Sequence, residues 1–165
     1  MEIREIRTRD TETFLNLKQH LDKETHFMML EPDERKTSVD EQRQDIEQVI
    51  ATPNHAIFVA EVEGGLIGYI RATGGAYNRN RHCATIVVGI MQAFTGLGLG
   101  KRLFAHVDEW AQENQLQRLE LTVMVSNHAA LAVYHRVGFE IEGFRRQALL
   151  VDSKYVDEYY MAKVF

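Results

Sequence analysis

Cysteine is almost missing from this chain. Cys83 is the single one among 165 residues, which excludes an intrachain disulfide and leads us to expect a reducing, cytoplasmic compartment. Long apolar runs are missing as well. None approaches the ~18 residues that a membrane span needs, so no membrane partner is expected. There is no basic excess: 19 Lys and Arg stand against 24 Asp and Glu, a net charge of −5, and a nucleic-acid partner is therefore not expected. The seven histidines show no metal-ligand spacing and no His-Glu-x-x-His, so no metal is expected. No Ser-His-Asp arrangement, internal repeat or low-complexity segment is visible. The opening Met-Glu-Ile-Arg-Glu-Ile-Arg alternates charged and apolar residues, which suits a strand and not a signal peptide.

What remains is an ordinary globular composition, 45% hydrophobic and 26% charged, of a length that fits one domain over residues 1–165 with a real core. Ile3 and Ile6 suggest a short first strand. Thr8 to Asp10 can cap a helix from about Thr11 to Leu21 with Phe14, Leu17 and Leu21 on one face. Pro32 marks a loop, and a polar helix runs from Thr37–Ser38 to about Ala51. Ala56 to Val62 and Leu66 to Ala72 read as strands around the turn signal Glu63-Gly64-Gly65. After a polar loop, Cys83 to Met91 is a strongly apolar strand. Leu99, Leu103, Phe104, Val107, Trp110 and Ala111 recur at helical spacing to about Asn114. Leu119 to Val125 is a further strand. Phe139 to Phe144, Gln147 to Val151 and Asp157 to Val164 read as closing strands. Hairpins early and a strand-helix-strand crossover late imply an α/β fold with a mixed sheet.

Residues 95 to 100 read Thr-Gly-Leu-Gly-Leu-Gly, between the apolar strand and the amphipathic helix. Glycines before a helix suit anion binding, because the first-turn N–H groups lack partners and the helix dipole favours negative charge. The spacing fails two phosphate-binding patterns. A P-loop needs glycine where Thr95 stands and a serine or threonine where Arg102 stands. A dinucleotide fingerprint needs glycine where Lys101 stands. Residues 127 to 139 read Asn-His-Ala-Ala-Leu-Ala-Val-Tyr-His-Arg-Val-Gly-Phe. Taken locally, Asn127 is an N-cap, Tyr134 a half-buried helix residue and Gly138 a left-handed C-cap with Phe139 packed behind it.

The two segments together resemble the acetyl-CoA site of the GNAT superfamily of N-acetyltransferases. The loop is similar to Arg/Gln-x-x-Gly-x-Gly/Ala after a strand ending in valine or isoleucine, matched by Ile90, Gly98 and Gly100, with Thr95 departing from the usual arginine or glutamine. The pattern Asn-x-x-Ala-x-x-x-Tyr-x-x-x-Gly-Phe is matched in full by Asn127, Ala130, Tyr134, Gly138 and Phe139. The C-terminal run also resembles members that acetylate amino acids or protein N-termini. The resemblance implies a mixed, mostly antiparallel sheet flanked by helices, with acetyl-CoA as co-substrate. The loop from Thr95 through Gly96, Leu97, Gly98, Leu99 and Gly100 to Lys101 would cradle the pyrophosphate. Val88, Gly89 and Ile90 would pair with the pantetheine arm, and Asn127 would bind the same arm. Tyr134 would stand beside the sulfur, where a phenol of ordinary pKa ~10 is protonated and can act as general acid.

A base for the attacking amine is harder to find. Cys83 to Met91 holds no carboxylate. Glu120 is the best one on the neighbouring strand, with His82, His128 or a water relay as alternatives. The acceptor, a small-molecule or peptide amine, is expected between the first helices and the late hairpin, near Glu24, Phe27 and Met28, where acidic side chains such as Glu24, Glu31 and Asp33 would attract a cation. Family members often dimerise through C-terminal strands, so a homodimer is an open expectation. A non-catalytic acyl-CoA-binding module of the same fold is the alternative function.

Overall fold

The computed structural model describes residues 1–165. Strand β1 (Glu2–Glu5) leads into helices α1 (Thr11–Glu24) and α2 (Val39–Ala51). Strands β2 (His55–Val62), β3 (Gly65–Gly74) and β4 (Cys83–Ile90) follow, then α3 (Leu99–Glu113), β5 (Arg118–Met124), α4 (His128–Arg136), β6 (Glu140–Val151) and β7 (Lys154–Val164). The seven strands form one sheet in the order β1-β2-β3-β4-β5-β7-β6. Only β4 and β5 run parallel, because α3 carries the chain back between them. No helix is long and apolar enough to cross a membrane.

Local chemistry explains the corners. Glu63 and Gly64 both have left-handed backbones, φ 49° and 82°, as a tight hairpin matched to sheet twist requires. Ser38 Oγ accepts from Glu41 N while the Glu41 carboxylate accepts from Ser38 N, so a reciprocal cap starts α2. Helix α1 runs three residues beyond Leu21, to Glu24. The sheet separates two cores. Phe14, Leu17 and Leu21 of α1 meet Ile46 and Val49 of α2 over Ile57, Val59 and Tyr69. On the other face Leu103, Phe104 and Val107 of α3 and Tyr134 of α4 pack over Ile70, Ile86, Leu119, Leu121 and Val123.

The closing strands differ from the reading of the sequence. The segments Phe139 to Phe144 and Gln147 to Val151 belong to one long strand, β6, interrupted by a shift of register between Arg145 and Leu149. Gln147 takes φ 52° there, and its N–H donates to Asp157 Oδ1 at 2.7 Å. The extra residues of such a bulge break the two-residue alternation, so one strand reads as two.

Candidate active site

Strands β4 and β5 pair only from Cys83↔Arg118 to Thr85↔Glu120. Beyond that rung they part, while β4 stays paired with β3 up to Ile90 and β5 with β7 up to Met124. Gly75 N donates to Cys83 O, and Met91 N donates to Ile67 O. Peptide groups alternate along a strand, so the odd-numbered residues of β4 face β3. The N–H and C=O groups of Ile86, Val88 and Ile90 therefore point into the gap. A gap lined by free strand amides can hold an extended, amide-containing chain as if it were another strand. Gly89, by the same alternation, bonds toward β3. A Cβ added there would lie 2.7 Å from Leu21 Cδ1 and 3.0 Å from Tyr69 Cε1, so this glycine lets α1 approach the sheet.

The glycine loop closes the open end of the gap. Gly96 and Gly98 have φ 75° and 77°, and Gly98 is the left-handed cap of α3. Arg102 N is the first amide of the helix with a backbone acceptor, Gly98 O at 3.2 Å. The N–H groups from Gly96 to Lys101 donate to nothing in the protein. They form a cradle for an anion at a helix N-terminus. Leu99 is buried and anchors the turn, Leu97 is exposed, and Thr95 Oγ1 donates to Gln92 O at 2.8 Å, which closes the preceding turn. Nothing lies within 4 Å of a Cβ built on Gly98, so a substitution there acts through the backbone alone. Gly98→Ala is expected to cost about 1–2 kcal/mol of stability and to weaken acetyl-CoA binding, read by thermal unfolding and calorimetry.

Helix α4 brings the second segment to the same place. A Cβ on Gly100 would meet Val133 Cγ1 at 3.3 Å and Ile90 Cδ1 at 3.7 Å, so α3, α4 and the end of β4 converge here. Asn127 Oδ1 accepts from Ala130 N at 3.2 Å as the N-cap, which leaves its Nδ2 without a protein partner. Tyr134 is buried, its ring 5.7 Å from Phe104 edge-to-face and 6.1 Å from Phe139. Its hydroxyl makes no hydrogen bond in the protein, yet it is not among the sealed polar atoms that lack a partner. It is therefore reachable. Burial pushes its pKa up to about 12, so the phenol holds its proton at neutral pH.

The family model described as acetyltransferase (GNAT) family matches residues 14–139. The chain belongs to the acetyltransferase (GNAT) family. As a GNAT protein it is an acetyl-CoA-dependent N-acetyltransferase, and the residues fit that co-substrate: free strand amides for the pantetheine arm and unpartnered loop amides for the pyrophosphate. Its relatives include the L-amino acid N-acetyltransferase AaaT of Escherichia coli, 31% identical over 122 residues that cover 72% of this chain and 74% of that one. The N-alpha-acetyltransferase RimI of Mycobacterium tuberculosis is 29% identical, over 69% of each chain. Among solved structures, an acetyltransferase of the GNAT family from Streptococcus pneumoniae superposes with a TM-score of 0.96 at 28% identity, over 99% of this chain and 98% of that one. A GNAT superfamily phosphinothricin acetyltransferase from Sinorhizobium meliloti in complex with acetyl-CoA shares the fold, with a TM-score of 0.87 at 16% identity, over 99% and 88%.

The remaining expected residues of this acetyltransferase fall in different places. Glu120 sits on the last paired rung, at the closed end of the gap, and its Oε2 accepts from Arg118 Nε at 2.9 Å. Met124, at the open end, is four residues further along, roughly 13 Å at ~3.3 Å per residue. That span is too long for direct proton transfer, which would need a chain of waters. Met28 lines a cavity of about 310 Å³ with Asp22, Leu30, Met124 and Leu149, between α1 and the late strands. Phe27 is exposed beside it. Glu24 turns the other way: its Oε2 accepts from Gln92 N at 2.8 Å, which ties the end of α1 to the start of the glycine loop. The reading of the sequence put the segment Tyr155 to Tyr160 on the acceptor side but did not single out Glu158 of β7. This carboxylate is buried, stands across from Met124 and accepts from Arg145 Nη1 at 2.7 Å. A charged residue inside an alternating strand was the available signal, and it is hidden by the bulge that disturbs the alternation of the partner strand.

Proposed function

We propose that this acetyltransferase transfers acetyl from acetyl-CoA to the primary amine of a free amino acid or a peptide N-terminus, by direct attack in a ternary complex. The gap between β4 and β5 carries the reading, because it opens on both faces of the sheet. On the α4 face the Tyr134 hydroxyl, without a protein partner, would stand beside the sulfur. The α1 face presents the cavity beside Met28 and Met124. Acetyl-CoA threaded through the gap would then have its sulfur toward the phenol and its carbonyl accessible to an amine from the other side.

The amine nitrogen forms a bond to the thioester carbon, and the carbonyl oxygen takes up negative charge. The gap-facing N–H of Ile90 or Val88 is the donor suited to that oxygen. Collapse breaks the carbon–sulfur bond, and the Tyr134 proton goes to the departing thiolate. The proton from the amine leaves through water on the acceptor face, with Glu120 at its far end. The relatives named for amino acids and for N-terminal acetylation support this acceptor class. The test is thiol release from acetyl-CoA across free amino acids, peptides, polyamines and aminoglycosides. Turnover confined to polyamines or aminoglycosides, or none with any amine, would overturn the reading.

A further inference from the structure

Charge collects on the α1 face beside β4, in an arrangement that the transfer chemistry does not use. Asp22 of α1 is held by Arg35, Nε to Oδ2 at 2.7 Å and Nη2 to Oδ1 at 3.0 Å. Asp45 of α2 is held in the same way by Arg71 of β3, at 2.8 and 2.9 Å. Each carboxylate spends both oxygens on its own guanidinium. Lys18 stands one turn before Asp22 on α1, and its charge interacts with all four of these groups. Its Nζ forms no ion pair or hydrogen bond in the protein and instead lies over the Phe14 ring, 5.0 Å from the centroid. The cluster is thus three cations, Lys18, Arg35 and Arg71, on two carboxylates.

A half-buried ammonium without an anion is unfavourable. Burial, followed by Arg35 and Arg71, lowers the Lys18 pKa to about 8, and Asp45 and Asp22 offset only part of this. At neutral pH the group still carries its charge for the greater part. It is not sealed from solvent either, since the sealed unpartnered atoms are elsewhere. The Tyr69 hydroxyl lies in the field of Arg35, Asp22 and Arg71 and also has no hydrogen bond. Its ring, edge-on to Phe14 at 5.1 Å, fixes it in place.

The cluster borders the transfer site. Arg71 pairs with Val87 and Tyr69 with Gly89, so these side chains share the α1 face with the exposed Val87. Asp22 also lines the cavity that holds Met28 and Met124. Of the acidic residues near the entry, Glu24 and Asp33 are engaged, by Gln92 N and by Lys23, while Glu31 lines the cavity, exposed and without an ion pair. Within the cluster against β3 the unpaired charge is that of Lys18, a cation.

We infer that the acceptor carries a carboxylate as well as its amine, and that Lys18, backed by Arg35 and Arg71, binds that carboxylate on the α1 side of β4. This rests on the amine-acetylation reading and narrows it to free amino acids and their like. Polyamines and aminoglycosides lack the anion that the cluster needs.

The test compares free amino acids with their α-carboxamides, and glutamate and aspartate with glutamine and asparagine, which separates an α-carboxylate from a side-chain one. In the wild-type protein kcat/KM for the acid is expected to exceed that for the matching amide by roughly 10- to 100-fold, the scale of one charge-assisted hydrogen bond. Lys18→Met should collapse this ratio through KM of the acid, and Lys18→Arg should restore much of it. Transfer with no acid preference, or a preference that survives in Lys18→Met, overturns the inference and leaves the acetylation reading standing. Absence of transfer to any amine overturns that reading instead. Calorimetry of the CoA complex with the same acids and amides then decides the carboxylate site: acid binding lost in Lys18→Met supports it, and equal binding of acid and amide removes it.

Discussion

Tyr134→Phe is expected to lower kcat by about 10²- to 10⁴-fold, the usual contribution of a positioned general acid, while the dissociation constant of acetyl-CoA stays close to that of the wild type. The substitution deletes one oxygen. The ring keeps its edge-to-face contact with Phe104 and its packing on Phe139, and the hydroxyl bonds to nothing in the protein, so no partner is left unsatisfied. The lost quantity is the proton for the departing sulfur. Burial holds the phenol at a pKa of about 12, so it stays protonated throughout the working range, and an alkaline limb of the rate profile below about pH 11 must come from another group. Single-turnover rates with acetyl-CoA and an active amine, beside calorimetric binding, check this. An unchanged rate removes Tyr134 from the chemistry.

Phe104→Ala is expected to destabilise the protein by about 3–5 kcal/mol, read as a fall in the urea midpoint at constant m-value. Phe104 is fully buried and its ring meets both Tyr134 and Phe139, at 5.7 and 5.4 Å. Removing it opens a cavity where α3, α4 and the start of β6 come together. The Tyr134 ring then loses one of the two aromatic surfaces that aim its hydroxyl. We expect kcat to fall as well, in protein that is still folded at low temperature. The double variant Phe104→Ala, Tyr134→Phe should then be little slower than Tyr134→Phe alone, because both changes act on the same proton transfer. Fully additive rate losses would mean that Phe104 acts elsewhere.

Much of this architecture was legible because its signals are local. The apolar stripe of Leu99, Leu103, Phe104, Val107 and Trp110 specifies α3 without reference to any other part of the chain. Gly138 announces a left-handed helix end, and its φ is 99°. Asn127, Ala130, Tyr134, Gly138 and Phe139 sit on a cap, a short helix and its end, so their spacing survives in one dimension. The bulge in β6 was not legible, because a register shift depends on what the partner strand offers. Glu120 and Glu24 show the same limit. Glu120 was placed correctly on its strand, whereas Glu24 falls in the last turn of α1, beyond the Leu21 end read from the sequence, and the groups that engage them are Arg118 two residues away and Gln92, 68 residues later in the chain.

The sequence by itself determined most of the helices and strands and the glycine turn that opens α3, and its resemblance to the family marked Tyr134 as the expected acid. The elements follow from periodicity and backbone freedom, which act within a few residues. Only the tertiary structure decided where β4 leaves β5, which amides that parting frees, and which charges on the acceptor face remain unpaired. Strand register and the competition of Asp22 and Asp45 for Arg35, Arg71 and Lys18 are settled among groups from separate elements, and no local pattern records their outcome.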